Sequence, residues 1–173
     1  MSGWSKYVWA ALAIAVLSHL ALINAVPNVL TGVAISRLGE AGVNQWHMAP
    51  RVTEASRTIV RPAPDFAYSV CAYDLARGPL RLRVADWDQY WSLSLYGANS
   101  DNFFVLDDRE VRGDAEIILM RQGRAAPDHA EQVVQSPSSK GIALIRRLAP
   151  TLEAYNAAAR VAADDVCAPF TNS

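Results

Sequence analysis

Five acids, Asp86, Asp88, Asp101, Asp107 and Asp108, form the densest carboxylate set in the chain. Carboxylates so close in sequence can hold a cation or supply a general base. Asp and Asn at sheet corners also bond the local backbone and tolerate left-handed conformations, which accounts for the same residues without chemistry. Aromatic side chains crowd the same stretch: Tyr68, Tyr73, Trp87, Tyr90, Trp91, Tyr96, Phe103 and Phe104. A sheet face rich in tyrosine can line a pocket for an apolar small molecule or dock on a partner, and cross-strand packing uses the same residues. The candidate ligand-binding set is Tyr68, Tyr90, Tyr96, Asp101 and Asn102.

Other chemistry is poorly represented. The chain contains no GxSxG, Walker loop, dinucleotide fingerprint, HExxH or CxxC. His19, His47 and His129 lie far apart, and no two of them have helical or turn spacing for a shared metal. No metal, no cofactor and no catalytic residue is therefore assigned. Cys71 and Cys167 suit a disulfide in an oxidising compartment, with two reduced buried thiols as the alternative. Sixteen basic residues against 17 acidic ones leave a net charge of −1, which supplies no electrostatic basis for a nucleic-acid partner.

Several elements must position these residues. The apolar surplus, 51% of the 173 residues, is concentrated at the N-terminus. Tyr7 to Val26, "YVWAALAIAVLSHLALINAV", carries no formal charge. Such a run is long enough to cross about 30 Å of hydrocarbon as a helix. Trp4, Lys6, Tyr7 and Trp9 at its start have the composition of a membrane interface. A cleaved secretory signal is the alternative, but the run is long for one and "INA" is a poor cleavage site. His19 within it reads as a neutral histidine near a helix contact or a wet end. Lys6 on one side and Arg37 on the other leave the positive-inside rule almost silent, so the two cysteines set the expected side. The expectation is a bacterial inner-membrane protein with one span and a periplasmic domain.

Pro27 permits a break, after which "NVLTGVAISRLGEAG" predicts a second short helix or a kinked extension. Residues 1–42 thus form an anchor with a following helix, and 43–64 an extended, proline-containing linker. Residues 65–173 form a β-rich domain. Its period is two: "FAYSVCAYDL" sets Phe66, Tyr68, Val70 and Ala72 opposite Ala67, Ser69, Cys71 and Tyr73. "YWSLSLYG" sets Trp91, Leu93 and Leu95 inward, with Tyr90, Ser92, Ser94 and Tyr96 outward. "AEIILMRQ", "EQVVQS" and "GIALIRRL" are further strands, and "PTLEAYNAAARVAADDV" is a closing helix with a stripe of Leu152, Tyr155, Ala159 and Ala162. The fold class is mainly β, an antiparallel sheet or sandwich, with a C-terminal α-helix and one N-terminal transmembrane helix.

"RPAPDFAYSVCAYDLARGPLRL" followed by "YWSLSLYGANSDNFFVLDDRE" resembles the bacterial domain of unknown function 1254. The resemblance rests on Asp65 with Tyr68, the turn Asp74 to Pro79, the strand Tyr90 to Tyr96 and the corner Ser100 to Phe103. "HMAP" at His47 and the closing "KGIALIRRLAP" are similar to the short, membrane-anchored members. The resemblance implies no settled activity, so no catalytic role is transferred. Larger members join a companion domain of unknown function 1214, which this chain does not show. A separate membrane or envelope protein is thus the expected partner, alongside the lipid bilayer. Two functions remain open: an accessory, partner-binding subunit without catalysis, and an enzyme or small-molecule binder using Tyr68, Tyr90, Tyr96 and Asp101.

Overall fold

The computed structural model of the chain describes residues 3–56, 61–126 and 132–171. The period-two segments pair into two sheets. The first has the order β1–β2–β8–β4–β5, from His47–Met48, Phe66–Asp74, Lys140–Leu148, Trp91–Gly97 and Asn102–Asp107. The second has the order β7–β6–β3–β9, from Val133–Ser136, Ala115–Arg121, Leu80–Val84 and Val166–Pro169. Pairing is antiparallel throughout except between β6 and β7, which run parallel.

The core lies between the sheets. Cys71, Tyr73, Trp91, Leu93, Leu95 and Ile145 face inward from the first sheet; Leu80, Leu82, Val84, Ile117 and Leu119 face them from the second. These are the apolar positions of the alternating runs, and their burial supplies the driving force for closing one sheet on the other. Helix α2, Leu152–Ala162, starts at Thr151, whose hydroxyl accepts the Ala154 N–H at 3.1 Å. Its buried contact is Ala158, with Ala154, Tyr155, Ala157 and Val161 packed beside it. Leu152, predicted for that stripe, is instead exposed. It stands in the first turn, before the helix reaches the core.

Three further expectations need correction. Helix α1 runs unbroken over Ser5–Gly39, with Pro27 inside it, so of the two expectations the continuing extension holds and the separate second helix does not. The Asn24 and Asn28 side chains donate to the Leu20 and Asn24 carbonyls, each at 2.8 Å, adding bonds on both sides of the proline. Packing also holds the distal part straight: Thr31 and Ala34 are buried against the domain. The stretch 43–64 is not wholly a linker, because β1 pairs with β2 and Val43 bridges Ala72. Finally, the chain does not end in its helix: "VCAP" returns as β9 beside β3.

Candidate functional site

The predicted ligand set does not converge. Tyr68 and Tyr96 share the outer face of the first sheet, but Tyr68 is in register with Arg146 and Tyr96 with Ile142. Four residues along β8 separate those positions, about 13 Å at strand rise. Tyr68 belongs to an aromatic row with Phe66 and Tyr90: Phe66 lies 6.4 Å from the Tyr68 ring and 6.0 Å from the Tyr90 ring, the latter edge-on. Tyr96, Asp101 and Asn102 lie at the opposite end of β4, around the corner into β5.

That corner works as structure. Asp101 is exposed; its carboxylate accepts the Asn99 amide at 2.5 Å, and its carbonyl accepts the Gly97 N–H at 2.9 Å. Ser100 takes a positive φ of 71° and aims its hydroxyl at helix α1, where it meets the Thr31 hydroxyl and donates to the Pro27 carbonyl at 3.3 Å. The polar turn therefore grips the helix, and the Asp101 carboxylate bonds Asn99 within it. Asp107 likewise accepts the Arg109 N–H at 3.0 Å, and Asp114 accepts the Asp86 N–H at 2.9 Å. The Arg83 guanidinium also bonds Asp114. The Asp86 N–H and this cation together hold the Asp114 carboxyl below the usual carboxylate range. Among the described residues no group of three His, Cys, Asp or Glu is placed to hold a metal ion. His129 lies outside the described residues.

Ser92 and Ser94 are fully buried, although alternation put them outward. They do point to the outer face, but β4 is an inner strand of its sheet. Arg146 and Leu144 on β8 and Asp107 and Val105 on β5 stand directly beside them and cover such short side chains. Arg146 also donates to the Ser92 hydroxyl at 3.3 Å.

The recurring sequence motifs meet in the interior. The Tyr73 hydroxyl donates to the Tyr96 carbonyl at 3.0 Å and lies 3.0 Å from the Ser136 hydroxyl, so it joins the "YDL" strand to the end of "YWSLSLY". Burial raises the Tyr73 phenol above its ordinary pKa, and the Ser136 bond only partly opposes this. Gly141, from "KGIALIRRL", lies where any Cβ would meet the Tyr73 ring and the Tyr96 carbonyl oxygen. Arg147 from the same motif is buried and reaches Asp165 and the Ala85 carbonyl. Cys71 of the first sheet and Cys167 of the second form a disulfide, Cα to Cα 6.8 Å. Sequence reasoning missed the Tyr73, Gly141 and Arg147 contacts because each partner lies on a distant strand.

Two cavities matter on the surface. One of about 610 Å³ lies between Asp86–Gln89 and α2, with Asp86, Asp88, Glu153 and Arg160 among its lining. The other, about 620 Å³, lies under residues 49–56 and 61–63 on the outer face of the first sheet. Of the predicted ligand set, only Tyr68 lines it.

The fold is shared with the crystal structure of the VPA0106 protein from Vibrio parahaemolyticus, at a TM-score of 0.65 and 15% identity over 88% of this chain. This chain spans 41% of that protein's length. An uncharacterized protein from Burkholderia cenocepacia is more distantly similar, with a TM-score of 0.47, 16% identity, and coverage of 65% of this chain and 33% of that one. No curated protein matches the sequence. The family described as protein of unknown function (DUF1254) matches residues 43–169, nearly the whole of the chain beyond its apolar helix, and the chain belongs to that family.

Proposed function

We propose that this is a single-pass membrane protein of the bacterial cell envelope whose periplasmic β-sandwich serves as an accessory, partner-binding subunit. The observation that carries it is the division of labour along α1. Its apolar N-terminal part is exposed over the whole of its most hydrophobic window, while Thr31 and Ala34 further along are buried on the domain. At 1.5 Å per residue, its 35 residues extend about 52 Å, enough for a bilayer span plus a docked continuation. The docked residues Pro27, Thr31 and Ala34 lie on the same uninterrupted helix as the apolar window. The Cys71–Cys167 disulfide supports an oxidising compartment.

A partner is supported by the exposed apolar helix. Membrane fractionation with an alkaline wash, combined with intact mass, tests the anchor. The uncleaved chain should remain in the membrane pellet; a soluble product starting after Ala25 would refute it. Gentle-detergent purification of the tagged protein should then recover a stoichiometric membrane or envelope protein, and recovery of the chain alone counts against the accessory role.

A further inference from the structure

Residues 49–56 and 61–63 lie over the outer face of the first sheet and form an arch fastened at both ends. The Ala49 N–H donates to the Tyr68 carbonyl at 2.8 Å, and the Ala49 carbonyl accepts the Tyr155 hydroxyl at 2.8 Å. At the other end the Ala63 N–H donates to the Tyr68 hydroxyl at 2.9 Å. Between them the Ser56 N–H reaches the Thr53 carbonyl at 3.0 Å, and the Thr53 N–H reaches the Ser56 hydroxyl at 2.9 Å. One residue, Tyr68, thus ties down the arch at both ends while its ring stays in the space beneath.

The groove under this arch has a volume of about 620 Å³, within the range of small-molecule sites, roughly 300–1,000 Å³. Val70 and Leu144 form its floor, and Pro50, Val52, Ala55 and Pro62 line its sides. Two guanidinium groups, Arg61 and Arg146, also line it, and among the described residues no carboxylate does, Glu54 lining an adjoining cavity with Arg61 instead. Arg146 is bonded to the Ser92 hydroxyl, and among the described residues neither arginine has an acid within ion-pair distance. An apolar groove with two cations that make no ion pair complements one ligand chemistry. Hydrocarbon displaces water from Val70 and Leu144 while an anionic head meets the planar guanidinium forks.

We infer that this groove binds aliphatic carboxylates, amphiphiles with a hydrocarbon body and a single carboxylate head. Arg146 and Arg61 take the head, and Val70, Leu144 and the Tyr68 ring take the chain. The site lies away from the Ser100–Thr31 dock, so it stands whether or not α1 remains in a membrane.

Octanoate is a suitable probe because it stays soluble beside an uncharged detergent, and 1-octanol is its uncharged control. The full chain, carrying 13C-labelled Val and Leu methyls, is titrated with each and followed by NMR. Octanoate should shift the Val70 and Leu144 methyls saturably, with octanol weaker by about tenfold. Arg146→Gln and Arg61→Gln should each weaken octanoate by about tenfold and leave octanol unchanged. Arg61 is exposed on the arch, so its variant remains informative if Arg146→Gln perturbs the sheet. Equal affinity for the two probes, no response at Val70 and Leu144, or undiminished octanoate binding in Arg61→Gln would each overturn the inference.

Discussion

Arg147 and Asp165 meet as a two-pronged ion pair in the interior, Nη2 to Oδ1 at 2.6 Å and Nη1 to Oδ2 at 2.8 Å, with both side chains almost wholly removed from solvent. Arg147 comes from β8 of the first sheet, and Asp165 from the turn between α2 and β9 of the second. The same carboxylate accepts the Ala85 N–H at 2.9 Å, and Arg147 donates to the Ala85 carbonyl at 3.0 Å. The pair therefore fixes where the C-terminal strand enters the sandwich.

Removing one member should be far worse than replacing both. Asp165→Asn or Arg147→Met leaves a buried group without its partner and should cost about 3–5 kcal/mol. The double variant Arg147→Met with Asp165→Leu should recover much of that loss. Denaturant melts of the three variants check it, and additive losses would show that the pair is not the coupling unit.

The disulfide closes a loop with a sequence separation of 96 residues between the two sheets. In the chain-entropy account, a loop of that size is worth about 4–5 kcal/mol. Paired Cys71→Ala and Cys167→Ala substitutions should lower stability by roughly that amount, read from a denaturant midpoint, while strand content by circular dichroism persists below the transition.

Gly141→Ala should be among the most damaging single changes. The added methyl would meet the Tyr96 carbonyl oxygen and the Tyr73 ring, and neither can retreat, since one is backbone and the other is buried in the core. A loss above about 4 kcal/mol, seen as little or no folded protein, is expected. Normal thermal stability of this variant would refute the close approach.

Two groups set opposite limits on pH. Tyr73 is raised by burial, so the folded state holds its proton more tightly than the unfolded chain does. Its contribution is complete below the ordinary tyrosine value of about 10 and is lost as pH rises through the folded-state value. Asp114 is lowered, so its contribution is complete above the ordinary carboxylate value of about 4 and is lost as pH falls through the folded-state value. Melting temperatures of Tyr73→Phe should fall less steeply than wild type on the alkaline side, and those of Asp114→Asn less steeply on the acid side. Asp114 is largely exposed, so its effect should also shrink with added salt.

The Ser100 hydroxyl and Thr31 join the corner to helix α1. Each such bond is worth about 1 kcal/mol net. Thr31→Val and Ser100→Ala should therefore speed amide exchange in the distal part of α1 without lowering the melting temperature of the sandwich. A joint loss of both would mean that helix and domain unfold as one unit.

Sequence alone determined what depends on near neighbours. Alternation separated the two faces of Phe66–Tyr73 and assigned the inward face of Trp91–Leu95, because side chains one residue apart point to opposite faces whatever the strand is paired with. An uncharged apolar run announced a helix long enough for a bilayer, and "PTLEAYNAAARVAADDV" announced α2. The order of motifs revealed the family before any contact was visible. Tertiary structure decided the rest. Ser92 and Ser94 are buried because β4 lies between β8 and β5, a fact of strand order that alternation does not encode. Tyr68 and Asp101 part company because register sets them at opposite ends of one face. The groove under residues 49–56 and 61–63 exists because Tyr68 fastens Ala49 and Ala63, in stretches that have no period to read. Periodicity is a local property of the chain, whereas pairing, burial and convergence arise between segments far apart in sequence.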